Sequence, residues 1–135
     1  MKNKGFWDIS KVALVLFTVL FLTLMHTIYV QYSRMLLSHH LMVEADSIVN
    51  IIDSAQVCPG NCTLKYRLPE SLSGNPYMVR VCANSVLLDA GNYSGSSIRV
   101  NESLIYGVVN SLDLKGGDVL VIKKFFNSKL EVDKG

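Results

Sequence analysis

The chain has 135 residues, half of them hydrophobic and 18% charged, with a mean hydropathy of +0.30. Thirteen Lys and Arg against 11 Asp and Glu leave a net charge of +2. These figures exclude a mainly disordered chain, which needs low apolar content or high net charge. They also exclude a strongly basic nucleic-acid binder, because there is no cationic excess to neutralise phosphates.

The apolar excess lies near the N-terminus. Residues 12–33 read VALVLFTVLFLTLMHTIYVQYS and contain no charged side chain. As a helix, residues 12–30 rise roughly 28 Å at ~1.5 Å each, which matches the ~30 Å hydrocarbon core of a bilayer. Trp7 precedes the run, and Tyr29 and Tyr32 lie at its far end, where amphipathic rings favour the membrane interface. Lys2, Lys4 and Lys11 precede it against the single acid Asp8, whereas Arg34 is followed by Glu44 and Asp46. The positive-inside rule then puts the N-terminus in the cytoplasm and everything after Arg34 outside. The run is longer than the ~7–15-residue core of a cleaved secretory signal, and no small-residue cleavage site follows it. It is read as a retained single-pass anchor.

The helical pattern continues past the span. Leu37, Leu41, Ala45, Ile48, Ile52 and Ala55 recur at three- and four-residue spacings and form one narrow stripe. His39, Glu44, Asp46, Ser47, Asn50, Asp53 and Ser54 are assigned largely to other faces. No Gly or Pro occurs between Phe6 and Ala55, and the first breaker is Pro59-Gly60. A continuous helix over residues 6–55 would be about 75 Å long. The stripe serves either a stalk packed on its own head or a helix that packs against neighbouring copies.

From residue 56 onward the signals change to strands and turns. Leu64, Tyr66 and Leu68 alternate with Lys65 and Arg67. Residues 69–76, rich in Pro, Ser, Gly and Asn, predict a loop. Residues 77–83 predict a strand with Tyr77, Val79 and Val81 on one face, turning at Asn84-Ser85 into a strand over 86–89. Residues 90–97 predict a loop and 97–100 a strand. Residues 102–112 fit either a strand or a short helix. Gly116-Gly117-Asp118 predicts a turn before a strand over 119–126, and Asn127-Ser128 a turn into an edge strand over 130–132. The fold class expected is α+β: a long N-terminal transmembrane and amphipathic helix, then a small antiparallel, sandwich-like β head.

Catalytic chemistry is sparse. All three His (His26, His39, His40) precede residue 41, so the head has no Ser-His-Asp or Cys-His catalyst. Asp113 and Asp118 sit in turn-like sequence and read as solvated. No phosphate loop, dinucleotide fingerprint or HExxH is present. No enzyme, cofactor or nucleic-acid partner is expected, and no metal, because Zn needs about four ligands. Cys58-Pro-Gly-Asn-Cys62 is the most pointed local feature. Its Pro-Gly turn brings two Cys toward bridging distance, and a disulfide is allowed outside the cell. Cys58–Cys62 is one pairing; either of them with Cys82 is the rival. Asn61, Asn92 and Asn101 each open an Asn-x-Ser/Thr glycosylation sequon on the outward side.

The opening Met-Lys-Asn-Lys-Gly-Phe, followed by mixed residues and the apolar run, resembles the class III signal of type IV prepilins. The resemblance implies a cut by prepilin peptidase after Gly5, with Lys4 and Gly5 as the recognition pair and Phe6 as the new N-terminus. The Lys-Gly pair is similar to the archaeal variant of that signal. The stretch over 68–89 and the Gly-Gly-Asp-Val-Leu-Val-Ile of 116–122 look like the short β heads of archaeal pilin-like proteins. Bacterial pilins carry Glu at the fifth mature position, where this chain has Ser10; its acid, Asp8, is at the third. A membrane-embedded ammonium on Phe6 is costly unless paired, and Asp8 is the carboxylate at hand for assembly. The other reading leaves Asp8 in the cytoplasmic headgroup region near Lys11.

The resemblance therefore implies a leader over 1–5, a transmembrane helix over 6–33, an amphipathic continuation over 34–55 and an extracellular head over 56–135. It implies a structural or accessory subunit of an archaeal type IV filament, with prepilin peptidase, the membrane and other pilin-like subunits as partners. The alternative is an uncleaved single-pass protein whose head binds a cell-envelope partner such as a surface-layer or archaellum component.

Overall fold

With no Pro before Pro59 and no Gly between Gly5 and Gly60, nothing in the sequence interrupts a helix once it starts. The computed structural model, which describes residues 4–91, 97–126 and 130–135, accordingly has one α-helix, α1, over Lys4–Val57, 54 residues long. It stops where Cys58 N–H reaches back to the Ala55 carbonyl (3.4 Å), just before Pro59 and a Gly60 with φ of 81°. The chain divides into two units, Met1–Met35 and Leu36–Gly135. The second unit contains the rest of α1 and all the strands.

The strands part into two antiparallel sheets. The first, in the order β1-β6-β7, pairs Cys62–Arg67 (β1) with Val119–Lys124 (β6), and β6 with Leu130–Lys134 (β7). The second, in the order β4-β3-β2-β5, is built from Tyr77–Cys82 (β2), Ser85–Gly91 (β3), Ser97–Ser103 (β4) and Leu112–Lys115 (β5). A single core joins α1 to both sheets. Leu37, Leu41, Ala45, Ile48, Ile52 and Ala55, the whole of the periodic stripe, are all at most 1% exposed. They share one cluster with Val79, Val81 and Leu88 of the second sheet and Leu120, Ile122 and Leu130 of the first.

Several details differ from the sequence expectation. The hairpin turn is Ala83-Asn84, because Cys82 pairs with Ser85 and Val81 with Val86. Burying Tyr77, Val79 and Val81 together with Val86, Leu88 and Ala90 fixes that register, and a one-residue slip would turn one set outward. Strand β4 runs on to Ser103, its polar end carried by backbone pairing of Asn101, Glu102 and Ser103 with Leu87, Val86 and Ser85. Strand β5 was not anticipated, although Leu112 and Leu114 alternate with Asp113 and Lys115.

Residues 104–111 form neither a strand nor a helix. Five of their backbone donors are satisfied outside the segment. Leu104 N–H donates to Asn84 O (2.9 Å), Val108 N–H to Ala83 O (2.8 Å) and Val109 N–H to Leu130 O (2.9 Å). Ile105 and Tyr106 N–H both point to the Asp53 carboxylate on α1 (3.4 and 3.3 Å). Asn110 completes the cover of β7. Its side chain accepts from Val132 N–H (2.9 Å) and donates to Val132 O (2.5 Å), as a neighbouring strand would.

The Pro69–Glu70 segment lies against the turn between β5 and β6. Pro69 O accepts from Tyr77 OH (2.9 Å) and from Gly117 N–H (3.1 Å), and Gly116 N–H donates to Tyr77 O (3.3 Å). Gly117 has φ of 88°, a conformation that favours glycine.

Candidate functional site

The N-terminal part of α1 has a mean hydropathy of 2.2 over its most apolar 18-residue window, and none of that window is buried. Among the described residues it is the one helix long and apolar enough to cross a membrane. The consecutive residues Leu14, Val15, Leu16 and Phe17, which point to all sides of the helix, are each exposed. A helix apolar on every side has no water-compatible face; it is stable only against lipid or other protein. Its hydroxyls do not break this. Thr18, Thr23 and Thr27 donate to the carbonyls of Leu14, Val19 and Thr23 (2.8, 2.7 and 2.9 Å), and Ser33 donates to Tyr29 O (2.8 Å). Each of these four hydroxyls is satisfied within the helix, as a hydrocarbon surrounding demands. Lys4, Gly5 and Phe6 form the first residues of α1, and Asp8 is exposed.

At the other end of α1 the structure brings Cys58 and Cys62 together. Both are half-buried free thiols, as is Cys82. The Cys62 thiol is hydrogen-bonded with Cys58, and that contact, helped by burial, raises it above the usual thiol range against the opposing charge of Lys124. It also lies 3.8 Å from Ala55 O. Lys124 holds the junction: its Nζ donates to Gln56 O (2.6 Å) and Cys58 O (2.7 Å). The last turn of α1 has no basic residue of its own. Lys124 of β6 supplies both the missing hydrogen bonds and the positive charge that suits a helix C-terminus. Cys82 is elsewhere. It ends β2 on the side opposite to the buried Tyr77, Val79 and Val81.

Of the sequon asparagines, Asn61 is exposed in the turn between the two Cys. Asn101 is exposed on β4, opposite Leu87. Asn92 lies outside the described residues. On the outer face of the second sheet, Arg80 and Asp113 are directly paired across β2 and β5 (2.6 Å), and Arg99 and Asp89 across β4 and β3 (2.8 Å). The Arg80 guanidinium holds Asp113 below the usual carboxylate range, and Lys134 does the same for Asp118. Both acids are thus occupied in ion pairs, Asp113 exposed and Asp118 half-buried.

Sequence reasoning placed Glu44 off the buried face, and the structure corrects this. Glu44 is 7% exposed, the single buried charged side chain among the described residues. Its position was readable, being three residues after Leu41 and four before Ile48. Tyr66 OH donates to Glu44 Oε1 at 3.0 Å. Burial raises the Glu44 carboxyl above its ordinary 4.5, and the Tyr66 hydrogen bond offsets part of this. Tyr66 is pushed up to about 12, first by burial and then by its bond to Glu44. Burial and the Glu44 charge also raise Tyr77.

A carboxyl raised in the folded state contributes stability that is fully present below its unfolded pKa and lost as pH rises through the folded one. The opposite holds for Asp113, Asp118 and Asp133, whose lowered pKa values protect the fold above 3.8 and fail in stronger acid. The head of the detergent-solubilised chain should therefore gain stability from neutral pH down toward about 4.5 and lose it below 3.8. Glu44→Gln keeps an acceptor for Tyr66 and removes the buried charge. It should flatten the upper limb, whose slope for one proton is at most about 1.4 kcal/mol per pH unit. Unfolding temperatures across pH check this, and an unchanged slope would count against the burial of an ionisable Glu44.

Large apolar side chains are also exposed where α1 ends: Val57, Ile105, Tyr106, Val109, Phe125 and Phe126, the last at 86%. Three links gather them at that end of the head: Asp53 with Ile105 and Tyr106, Val109 with Leu130, and Lys124 with Gln56 and Cys58.

The chain matches no protein-family model, no curated protein and no solved structure.

Proposed function

We propose that this protein is a pilin-like structural or accessory subunit of an archaeal type IV filament system. In this reading the chain crosses the membrane once, with its N-terminus in the cytoplasm. Prepilin peptidase removes residues 1–5, and the helix packs the subunit against similar subunits or copies of itself. Helix residues 36–57 and the two sheets act as a sandwich-like head outside the cell. The role is read as non-enzymatic: residues 56–135 contain no His, and Asp89, Asp113, Asp118 and Asp133 are engaged in ion pairs.

One observation carries the reading. A single unbroken helix, Lys4–Val57, has an apolar and wholly uncovered first part, while the stripe on its second part is buried in a small β head. The uncovered part needs lipid before assembly and helix neighbours after it, and its hydroxyls already bond internally, so it suits both surroundings. The Lys4-Gly5-Phe6 signal stands at the start of this helix, where such a peptidase would cut.

The exposed apolar side chains at the end of α1 favour a second reading, an uncleaved anchored protein whose head binds a cell-envelope partner. The N-terminal residue of the membrane-extracted protein separates the two. Intact mass and terminal sequencing should give Phe6 as the first residue, and Gly5→Leu should leave Met1 in place. A Met1 terminus in cells that contain the peptidase would overturn the pilin-like reading and leave the anchored binding head.

A further inference from the structure

We propose that Cys58 and Cys62 are oxidised to a disulfide that clasps the end of α1 to the start of β1. The inference rests on the outward placement of the head in the proposed function, and not on filament assembly. Three features of the fold carry it. The two thiols are in contact across the Pro59-Gly60-Asn61 turn, in which Gly60 takes the left-handed conformation (φ 81°) that folds the chain back on itself. Lys124 fixes both ends of that turn at once: its backbone pairs with Cys62 in the β1–β6 ladder, while its Nζ holds the Cys58 carbonyl. The competitor is turned away, because Cys82 is on the outer face of the other sheet, on the side of Arg80 rather than of the core.

The oxidant is an external disulfide, of a protein or a small molecule. One thiolate of the pair attacks a sulfur of that disulfide and expels one thiol, leaving a mixed disulfide. The second thiol then attacks the protein sulfur of the mixed disulfide and expels the other thiol. Two S–H bonds are lost and one S–S bond forms, and two electrons and two protons end on the oxidant as two thiols. Neither step requires the sheets to move, since the turn already holds the two sulfurs together. The bridge closes a short loop in the unfolded chain, so its stabilisation is at the lower end for disulfides.

The test uses the full chain in intact cells with a membrane-impermeant maleimide, applied before and after an external reductant. The expected result is no labelling of Cys58 or Cys62 before reduction and labelling of both after it. The unreduced peptide that spans both should be lighter by two hydrogens. The oxidised chain, extracted in detergent, should unfold about 5 °C or more above the Cys58→Ser/Cys62→Ser double variant, and Cys82→Ser should leave the bridge intact. Labelling of both thiols without reductant would place the head outside and overturn the clasp. A bridge to Cys82 would overturn it as well. Labelling only after lysis would overturn the outward placement and the clasp with it. Cleavage after Gly5 is read independently from the N-terminus, so failure of the pilin-like reading is distinguishable from failure of the clasp.

Discussion

Ile48→Asp is expected to abolish the folded head while leaving the chain in the membrane fraction. Ile48 is fully buried in the cluster that joins α1 to both sheets. Removing a buried aliphatic side chain costs about 2–5 kcal/mol. An unpaired carboxylate in its place adds several kcal/mol more, or must take up a proton. A domain of this size has roughly 5–15 kcal/mol of stability in total, so the sum consumes most or all of it. The nearby Glu44 makes matters worse, because a second acid four residues along the same face repels the first. The span over residues 12–33 is untouched, so membrane extraction should be unchanged. Limited proteolysis of the detergent-solubilised protein gives the readout: the wild-type head resists cleavage and the variant is degraded. Ile48→Val should cost only about 0.5–1.5 kcal/mol, and Val43→Asp, on the exposed side of the same helix, should be tolerated. A protease-resistant head in Ile48→Asp would show that the α1 stripe does not hold the two sheets together.

Gly116→Val is expected to be the most damaging substitution in the turns. A Cβ at Gly116 would stand 2.3 Å from the Glu70 carbonyl oxygen and 3.0 Å from that of Pro69. Both obstacles are backbone, so no side-chain rotation relieves them. Moving the 69–70 segment away would loosen three hydrogen bonds: Tyr77 OH to Pro69 O, Gly117 N–H to Pro69 O and Gly116 N–H to Tyr77 O. Overpacking alone costs about 1–3 kcal/mol, and each lost hydrogen bond about 1 kcal/mol. At about 4–8 °C per kcal/mol for a domain of up to ~100 residues, the melting temperature should fall by 10 °C or more. Gly91→Ala is the control, since a Cβ there meets nothing within 4 Å. It should stay within about 0.5 kcal/mol of wild type. Equal melting temperatures for Gly116→Val and the parent would mean that the Pro69–Glu70 segment does not pack on the β5–β6 turn.

The lysine at position 124 shows where sequence reading runs out. In the chain it is one more charge at the end of an apolar strand. In the fold it caps the C-terminus of a helix through carbonyls 66 and 68 positions earlier and is the backbone partner of Cys62. Asp53 is similar: its carboxylate gathers two backbone donors from residues 105 and 106. Glu44 is a different case: its spacing from Leu41 and Ile48 is that of the buried stripe, yet its charge led the sequence reading to assign it to another face. What the spacing lacked was the partner, a tyrosine hydroxyl 22 residues away that makes a buried carboxylate tolerable.

The sequence by itself therefore determined the periodic features. The uninterrupted helix, the apolar run long enough for a bilayer, the stripe from Leu37 to Ala55 and the inward face of β2 all follow from the order and spacing of residues within one element. Such spacings are properties of a single element and survive without knowledge of its neighbours. The tertiary structure alone decided the division into two sheets, the Ala83-Asn84 register, the irregular path of residues 104–111 and the turning of Cys82 to the outer face of the second sheet. Each of these depends on which distant backbone or side chain satisfies a donor, a carbonyl or an apolar face, and no local spacing records that partner.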